Sequence, residues 1–231
     1  MTAFESPETY FDLDAFKHGY LFESGRVWDA LDRLKTYLSE YGDYTIEGEV
    51  SPGAHLEGDM IAIGEGTVVE AGATIIGPAV IGRNCTIRQG AYLRGNVLCG
   101  DGCIIGHASE AKTAILLDGA KAAHFAYLGD SILGAGVNLG AGTKLANFKM
   151  NTGDRTIVVR CGETKINTGR RKLGAILGDG VELGCNSVTM PGTLVGPRSL
   201  VYPCAVISGF IPRDSVVKIR QSQEITKRND S

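Results

Sequence analysis

The 231-residue sequence predicts an all-β solenoid of short parallel strands, on two observations: a hexapeptide repeat and a high glycine content. Stepping by six residues gives an unbroken apolar series: Ile63, Val69, Ile75, Ile81, Ile87, Leu93, Cys99 and Ile105. The residue four positions after each of these is small in nearly every case, and the pattern returns between Leu177 and Ile207. Glycine contributes 32 residues, about twice its usual share of about 7%. Such a composition indicates many tight turns in a regular array.

The length of the repeat determines the kind of solenoid. Six residues suffice for one short strand and one tight turn, but not for a strand and a helix. Three such sides close a triangular coil of about 18 residues, with the apolar anchors stacked inside. Successive coils then pair as parallel strands about 4.8 Å apart. The period alone does not determine the handedness of the coil.

The repeat divides the chain into three parts. Residues 1–44 form an N-terminal extension, residues 45–212 form the coils, and residues 213–231 form a charged tail that is either an outer arm or disordered. The hexad slips by one residue near Leu128. Residues 147–172 abandon it, and their TIVVRCGETKIN segment alternates enough to predict a hairpin with a Cys-Gly turn. Such an excursion from a rigid coil is often a functional loop.

The N-terminal extension contains one clear helical pattern. Within residues 24–41 the apolar side chains recur at helical spacing, with Ser24 as an N-cap candidate and Gly42 as a stop. Because the open end of a solenoid needs a cap, we expect this short helix to cover the first coil.

Charge and cysteine usage exclude several classes of protein. The formal net charge of −3 argues against a basic nucleic-acid-binding module. No apolar stretch approaches the roughly 18 residues of a membrane span, and the N-terminus lacks a signal pattern, so no membrane partner is expected. The six cysteines form no CxxC pair and no zinc-type cluster. We therefore expect free cysteines, no metal and a reducing cytoplasm.

Coil arithmetic predicts which polar residues are neighbours. Arg94 and Lys112 are 18 residues apart and should stack, whereas Arg88 and His124 are 36 apart and should lie two coils from each other. The slip should bring Ala141 over His124. These cations, with a histidine above them and no acidic residue between, predict an anion site. The alternative for Arg94 and Lys112 is a solvated charged face.

At this point the sequence resembles a known family. Residues 124–149, HFAYLGDSILGAGVNLGAGTKLANFK, are similar to the acetyltransferase domain of glucosamine-1-phosphate N-acetyltransferases, which belong to the hexapeptide-repeat transferases. The resemblance extends over about residues 82–208 and implies a left-handed parallel β-helix. The matched motif positions are His124, Tyr127, Gly129, Asp130, Val137, Asn138, residues 140–143 and Asn147.

The resemblance implies a role for each substrate-facing residue. His124 matches the general base that takes a proton from the 2-amino group of the sugar, a task that suits imidazole near neutral pH. Arg88 and Lys112 match the pair that binds the sugar-1-phosphate. Tyr127 and Asn147 match contacts to the phosphate and the sugar.

The same resemblance implies acetyl-CoA as co-substrate. Asn138 matches an active-site asparagine that positions the substrate or the base. Ala141 lies where the family offers a backbone N–H to the thioester oxygen. Cys185 and Pro203 fall at backbone contacts to CoA. In the family three chains pack side by side with active sites between them, which implies a homotrimer.

The sequence also departs from the common bacterial pattern. It has Phe148 and Lys149 where N-Y-D-G is usual, and the loop lysine that follows has no clear counterpart; Lys149, Arg155 and Lys165 are candidates. Residues 170–172 are basic and either meet a phosphate or keep the loop solvated. The family's nucleotidyltransferase domain has no counterpart in the residues before the coils, so we expect no UDP-sugar synthesis from this chain.

Three alternative functions remain. An acyltransferase for another amino-sugar nucleotide would use the same machinery. A γ-carbonic-anhydrase-like enzyme needs three zinc-binding histidines, two of them at H-x-x-x-x-H spacing, and this spacing is absent from the sequence. A non-catalytic solenoid serving as a binding subunit would not need the histidine motif and the phosphate ligands intact.

Overall fold

A computed structural model describes residues 2–150, 153–220 and 222–226. These residues form a triangular parallel β-helix whose coils stack strand on strand along three faces, which confirms the predicted left-handed hexapeptide-repeat fold. Face 1 contains the strands Glu49–Val50, Val68–Val69, Thr86–Ile87, Ile104–His107, Lys121–His124, Asn138–Leu139, Glu182–Leu183, Leu200–Val201 and Val216–Val217.

Two long strands, Glu110–Leu116 and Tyr127–Leu133, bend from face 2 into face 3 and join these faces into one sheet. The remaining strands of face 2 are His55–Glu57, Thr74–Ile76, Tyr92–Arg94, Lys144–Leu145, Val188–Thr189 and Val206–Ile207. The remaining strands of face 3 are Ile61–Ile63, Ala79–Ile81, Val97–Cys99, Ala175–Leu177, Thr193–Val195 and Phe210–Ile211.

The core of the β-helix is the stack of hexad anchors. The apolar series from Ile63 to Ile105 is buried throughout, and so are the small residues four positions later, such as Ala73 and Cys85. Cys85, Cys99 and Cys103 are buried there as free thiols, as expected of cysteine acting as a small apolar residue. Cys185 and Cys204 are free and exposed.

Two coils in the middle of the solenoid contain 17 residues instead of 18. Their register pairs Ile104 with Lys121 and Lys121 with Asn138. Each has one five-residue side, and the chain turns the corner at Thr113 and Asp130 with positive φ angles of 48° and 47°. The predicted slip near Leu128 corresponds to the second short side, and the first one was missed.

The N-terminal segment lies along the outside of face 3, so the prediction that its helix covers the open first coil is wrong. The segment contains 3-10 helices at Ala3–Glu5, Pro7–Thr9, Gly19–Phe22 and Val27–Asp29, followed by the α-helix α1, Ala30–Glu40. Phe4 packs on Phe210 near one end, and α1 packs on the two long strands. The physical reason is that face 3 also has an apolar outer surface, including Ala62, Val80 and Leu98, which the segment buries.

The helix boundaries differ slightly from the prediction. Ser24 is not the cap, because a 3-10 turn precedes α1 and Arg26 N–H donates to the Asp29 carboxylate at 2.8 Å. Gly42 follows the helix with a φ of 77°, as expected of a residue that stops it.

The excursion forms the predicted hairpin, with strands Val158–Cys161 and Thr164–Asn167. Gly162 and Glu163 form the two-residue turn, and Cys161 ends the first strand instead of entering the turn. Ile157 and Val159 are buried against face 3.

The solenoid also continues beyond residue 212, since Val216–Val217 pairs with Leu200–Val201. The predicted boundary of the tail is therefore too early, and its last part, 227–231, lies outside the described residues.

Candidate active site

The corner between faces 1 and 2 carries the candidate base. His107 and His124 are paired in register on successive coils, and each is the last residue of a face 1 strand. The His124 side chain is exposed, and Phe125 beside it is 55% exposed. The Phe125 ring packs edge-on against His107 with centroids 5.2 Å apart. The Nδ1 atom of His107 lies 3.0 Å from the carbonyl oxygen of Gln89.

The register corrects the predicted neighbours of the base. His124 stacks over His107 and not over Gly106 and Arg88, because the intervening coil has 17 residues. Ala141 lies over His124 as predicted, since the 17-residue offset continues and Gly142 N–H donates to the His124 carbonyl at 3.0 Å.

The same corner continues upward through the predicted co-substrate contacts. The pairing of Leu139 with Leu183 and of Leu183 with Val201 places Cys185 over Ala141 and Pro203 over Cys185. We call this stack of four residues the corner column. From its lower end upward it contains His124, Ala141, Cys185 and Pro203.

The corner column also presents backbone donors. Within the described residues, the N–H groups of Ala141 and Cys185 donate to no protein acceptor, whereas their carbonyls accept from Asn186 and Cys204, both at 2.8 Å. Gly140 has no Cβ, and one there would lie 2.5 Å from the Cys185 nitrogen. Two donors about one strand spacing apart are therefore available to an external acceptor.

Face 2 carries the basic residues at its other end, beside the corner of faces 2 and 3. Lys112 stacks on Arg94 as predicted. Acidic residues accompany both, contrary to the prediction. Arg94 Nη1 lies 2.6 Å from Glu110 Oε1, and Lys112 Nζ lies 3.7 Å from Asp130 Oδ2. The positive φ of Asp130 turns its side chain back over the sheet, which strand alternation alone does not predict.

Arg88 is not brought to Lys112 within one chain. It lies in the turn that precedes face 2, at the preceding corner of the coil that carries Arg94. The structure therefore pairs Lys112 with Arg94, where the resemblance implied Arg88.

Tyr127, Asp130 and Asn147 form a hydrogen-bonded cluster at the corner of faces 2 and 3. Asn147 Nδ2 donates to Asp130 Oδ2 at 2.6 Å, and both side chains are buried. Tyr127 hydrogen-bonds to Asn147, and burial foremost, with Glu110 next, raises the pKa of the phenol. The phenol therefore stays protonated near neutral pH and keeps its hydrogen for donation. Gly129 lies beneath, where a Cβ would meet Asn147 Nδ2 at 2.5 Å.

Asn138 lies apart from this cluster. It is exposed on face 1, between Lys121 and Glu182 on the neighbouring strands. Within one chain, Asn138 and the Tyr127–Asn147 pair therefore occupy different faces of the triangle.

Lys172 was predicted as a possible phosphate contact within residues 170–172, but not as a candidate for the loop lysine. The excursion returns beside the point where it leaves the coil: Leu173 N–H donates to the Asn147 carbonyl at 3.0 Å, and Lys172 pairs with Phe148. Of the three predicted candidates for the loop lysine, Lys149 donates to the Thr156 carbonyl at 2.9 Å, and Lys165 lies on the hairpin. Its position in the sequence could have indicated this role, because Lys172 is the last basic residue before the hexad resumes at Leu173.

A cavity of about 580 Å³ adjoins the cluster. It is lined by Asp32, Asp130, Phe148, Thr168, Gly169, Arg170, Arg171 and Lys172. It therefore combines α1, the end of the excursion and the buried cluster in one concave surface. In the described ranges, no group of three or more His, Cys, Asp and Glu side chains is arranged to hold a metal ion. No helix there is both long and apolar enough to cross a membrane.

Relatives with known names share this part of the fold. A bifunctional sugar-1-phosphate nucleotidylyltransferase/acetyltransferase of Sulfurisphaera tokodaii is 33% identical over 190 residues, which are 82% of this chain and 47% of that protein. The bifunctional protein GlmU of Methanococcus maripaludis is 31% identical over 213 residues, covering 92% of this chain and 51% of the relative. The chain thus spans about half the length of the curated relatives it matches.

A solved structure, the UDP-N-acetylglucosamine acyltransferase from Campylobacter jejuni, aligns at 18% identity with a TM-score of 0.41 over 71% of this chain and 68% of that one. The resemblance stated from residues 124–149 is confirmed by the named relatives. The family model described as GMPPB C-terminal domain matches residues 75–208, more than half of the chain. The chain therefore belongs to the GMPPB C-terminal domain family, within the hexapeptide-repeat transferases.

Proposed function

We propose that this protein is an acetyl-CoA-dependent N-acetyltransferase that acts on an amino-sugar-1-phosphate, with glucosamine-1-phosphate as the preferred acceptor. The observation that carries the proposal is the corner column, in which one exposed histidine lies directly below two backbone N–H groups that donate to no acceptor in the described part of the chain. The relative named as a bifunctional sugar-1-phosphate nucleotidylyltransferase/acetyltransferase supports the reaction class. The proposal concerns acetyl transfer only, and not the nucleotidyl transfer that the relative's name also includes.

The acceptor binds on face 2 in this proposal. Lys112 and Arg94 bind the phosphate, and Lys172 takes the place of the family's loop lysine. Tyr127 and Asn147 bind the sugar, since Asn147 is already oriented by Asp130 and Tyr127 retains its hydroxyl hydrogen. Arg88 lies at the corner before face 2, in the coil that precedes the coil of Lys112, so its proposed phosphate contact is to an acceptor shared with a neighbouring chain.

The base acts at the amine. A neutral 2-amino group attacks the thioester carbon, and the His124 ring takes the proton that the nitrogen loses on forming the amide bond. The carbon–sulfur bond breaks, and the released thiolate gains a proton to become the thiol of CoA. Imidazole is suited to this transfer because its usual pKa lies near the working pH.

The corner column fits the co-substrate. Ala141 N–H is directed to the charge that develops on the thioester oxygen, which a preorganised donor stabilises without rearrangement. Cys185 N–H is available for the amide-containing arm, whereas Pro203 has no N–H and offers its carbonyl and ring surface. The co-substrate supplies the acetyl group that is transferred to the amine.

We also propose a homotrimer in the cytoplasm. Asn138 on face 1 and Tyr127 on face 2 complete one site when these faces of neighbouring chains pack together, while the N-terminal segment covers face 3. Exposed apolar side chains on faces 1 and 2, including Leu200, Val206 and Val216, support this packing. Light scattering should give the mass of three chains, and a monomer mass would contradict the proposal.

The experiment is thiol release from acetyl-CoA with separate acceptors. Glucosamine-1-phosphate, galactosamine-1-phosphate and a UDP-amino sugar are compared at equal concentration, and CoA binding is measured by calorimetry. Release that is fastest with glucosamine-1-phosphate supports the proposal. Release with the UDP-amino sugar alone favours the nucleotide-linked acceptor, and CoA binding without release from any amino sugar contradicts the acceptor class. No CoA binding would favour a non-catalytic solenoid.

A further inference from the structure

The end of the excursion is connected to the N-terminal helix by one side chain. Arg170 Nη1 contacts Asp32 Oδ1 on α1, and the Arg170 side chain is only 13% exposed. Its Nε donates to the carbonyl oxygen of Lys172 at 3.2 Å, and its own carbonyl accepts from Ile157 N–H at 2.8 Å. Arg170 therefore joins α1, the hairpin and the basic turn at residues 170–172.

This connection forms one wall of the cavity beside the candidate acceptor site. The wall is made by Asp32 and residues 168–172, and Asp130 and Phe148 complete the lining. Arg171 and Lys172 are exposed and form no ion pair with any residue that the structure describes. Their charges are thus available to an anion in the cavity, whereas the charge of Arg170 is already matched by Asp32.

We propose that Arg170 is a positioning residue: its ion pair with Asp32 holds Arg171 and Lys172 over the cavity and so sets the affinity for the anionic acceptor. This inference rests on the proposed function and adds the N-terminal segment to the acceptor site. The Asp32 carboxylate is 66% exposed and screened by solvent, and Arg170 keeps its hydrogen bond to the Lys172 carbonyl without it, so loss of the carboxylate should cost little folding stability. Loss of the ion pair should therefore weaken acceptor binding without lowering the melting temperature.

The test compares Asp32→Asn with a matched control. In Asp32→Asn the KM for glucosamine-1-phosphate should rise about fivefold, the size expected when an ion pair with one solvent-screened partner is lost. The kcat, the KM for acetyl-CoA and the melting temperature should stay at the wild-type values. The control is Asp214→Asn, which removes the exposed ion pairs of Asp214 with Arg198 and Arg213, none of which lines the cavity. It should leave both KM values unchanged.

A charge-reversed pair separates positioning from general damage. The double variant Asp32→Arg with Arg170→Glu restores an ion pair and should recover part of the lost acceptor affinity relative to either single change. Unchanged KM in Asp32→Asn, or a loss that the control reproduces, would overturn the inference.

Hydrogen exchange keeps the inference testable if the proposed acceptor is wrong. The Arg170 amide donates to Thr168 Oγ1 at 3.2 Å, and the Gly169 amide donates to Asn167 Oδ1 at 2.8 Å. Faster exchange of these amides in Asp32→Asn, with unchanged exchange in the coils, supports positioning whatever the acceptor is. Wild-type-like exchange overturns it. Failure of the wild type to release thiol with every amino sugar refutes the proposed function instead.

Discussion

Replacing Gly129 by alanine tests the buried cluster with a single methyl group. The added Cβ would lie 2.5 Å from Asn147 Nδ2 and 2.7 Å from the Tyr127 hydroxyl, where ordinary contact begins at 3.4 Å. One or both side chains must therefore move by about 1 Å, and a misplacement of this size at an active site costs about 100-fold in rate. Movement of Asn147 also lengthens its hydrogen bond to the Asp130 carboxylate, which costs about 1.5–3 kcal/mol of unfolding free energy.

The assay is thiol release alongside denaturant unfolding. We expect Gly129→Ala to lower kcat/KM for the sugar phosphate about 100-fold while CoA binding stays unchanged, because the corner column does not touch Gly129. Gly153→Ala is the control, since a Cβ there meets nothing within 4 Å. Wild-type kcat/KM in Gly129→Ala would refute the assignment of Tyr127 and Asn147 to the acceptor. Equal losses in both glycine variants would point to a general effect.

Three further predictions follow from the same contacts. Lys112→Met should raise the KM for the sugar phosphate about 10-fold without changing CoA binding, because it removes a phosphate ligand; an unchanged KM would contradict that role. Asp130→Ala should lower stability by about 1–3 kcal/mol in denaturant unfolding, because Asn147 loses its buried acceptor; a neutral result would show that the hydrogen bond is not formed. Burial lowers the pKa of His18 to about 4. As the pH falls below about 6.5, His18 is therefore protonated in the unfolded chain but not in the folded one, so the free energy of unfolding should fall by about 3 kcal/mol between pH 6.5 and 4. In His18→Gln that part of the slope should be missing, and an identical slope would contradict it.

The repeat carries most of the fold information. Each hexad anchor is apolar because it faces the inside of the triangle, so counting by six identifies the core without any structure. The position of the short sides could not be read in the same way. Leu116 and Leu133 each follow their preceding anchor by five residues, and neighbouring apolar residues such as Leu117 satisfy the six-residue pattern equally well.

The place of the N-terminal helix depends on tertiary packing. Its amphipathic pattern shows that Leu31, Leu34 and Leu38 must be covered, but not by which surface. The outward side chains of face 3 could have predicted that surface, because Val80 and Leu98 are apolar at positions that would otherwise face solvent.

The candidate site was predicted where spacing determines proximity. The stacking of Lys112 on Arg94 and of Ala141 on His124 follows from counting residues per coil. The contact of Asp130 with Lys112 and the return of Lys172 to Phe148 were not predicted, because they depend on a positive φ angle and on the path of a long excursion. Neither feature is periodic, so the hexad does not report on it.

The central claim is that His124 is the base at the foot of the corner column, and the two stacked histidines provide its most direct test. The measurement is thiol release with glucosamine-1-phosphate by His124→Ala and His107→Ala, with CoA binding measured for both. The account predicts a loss of about 100- to 10,000-fold for His124→Ala, intact CoA binding, and most of the rate retained in His107→Ala. A His124→Ala protein that keeps the wild-type rate, or a greater loss in His107→Ala, would contradict it.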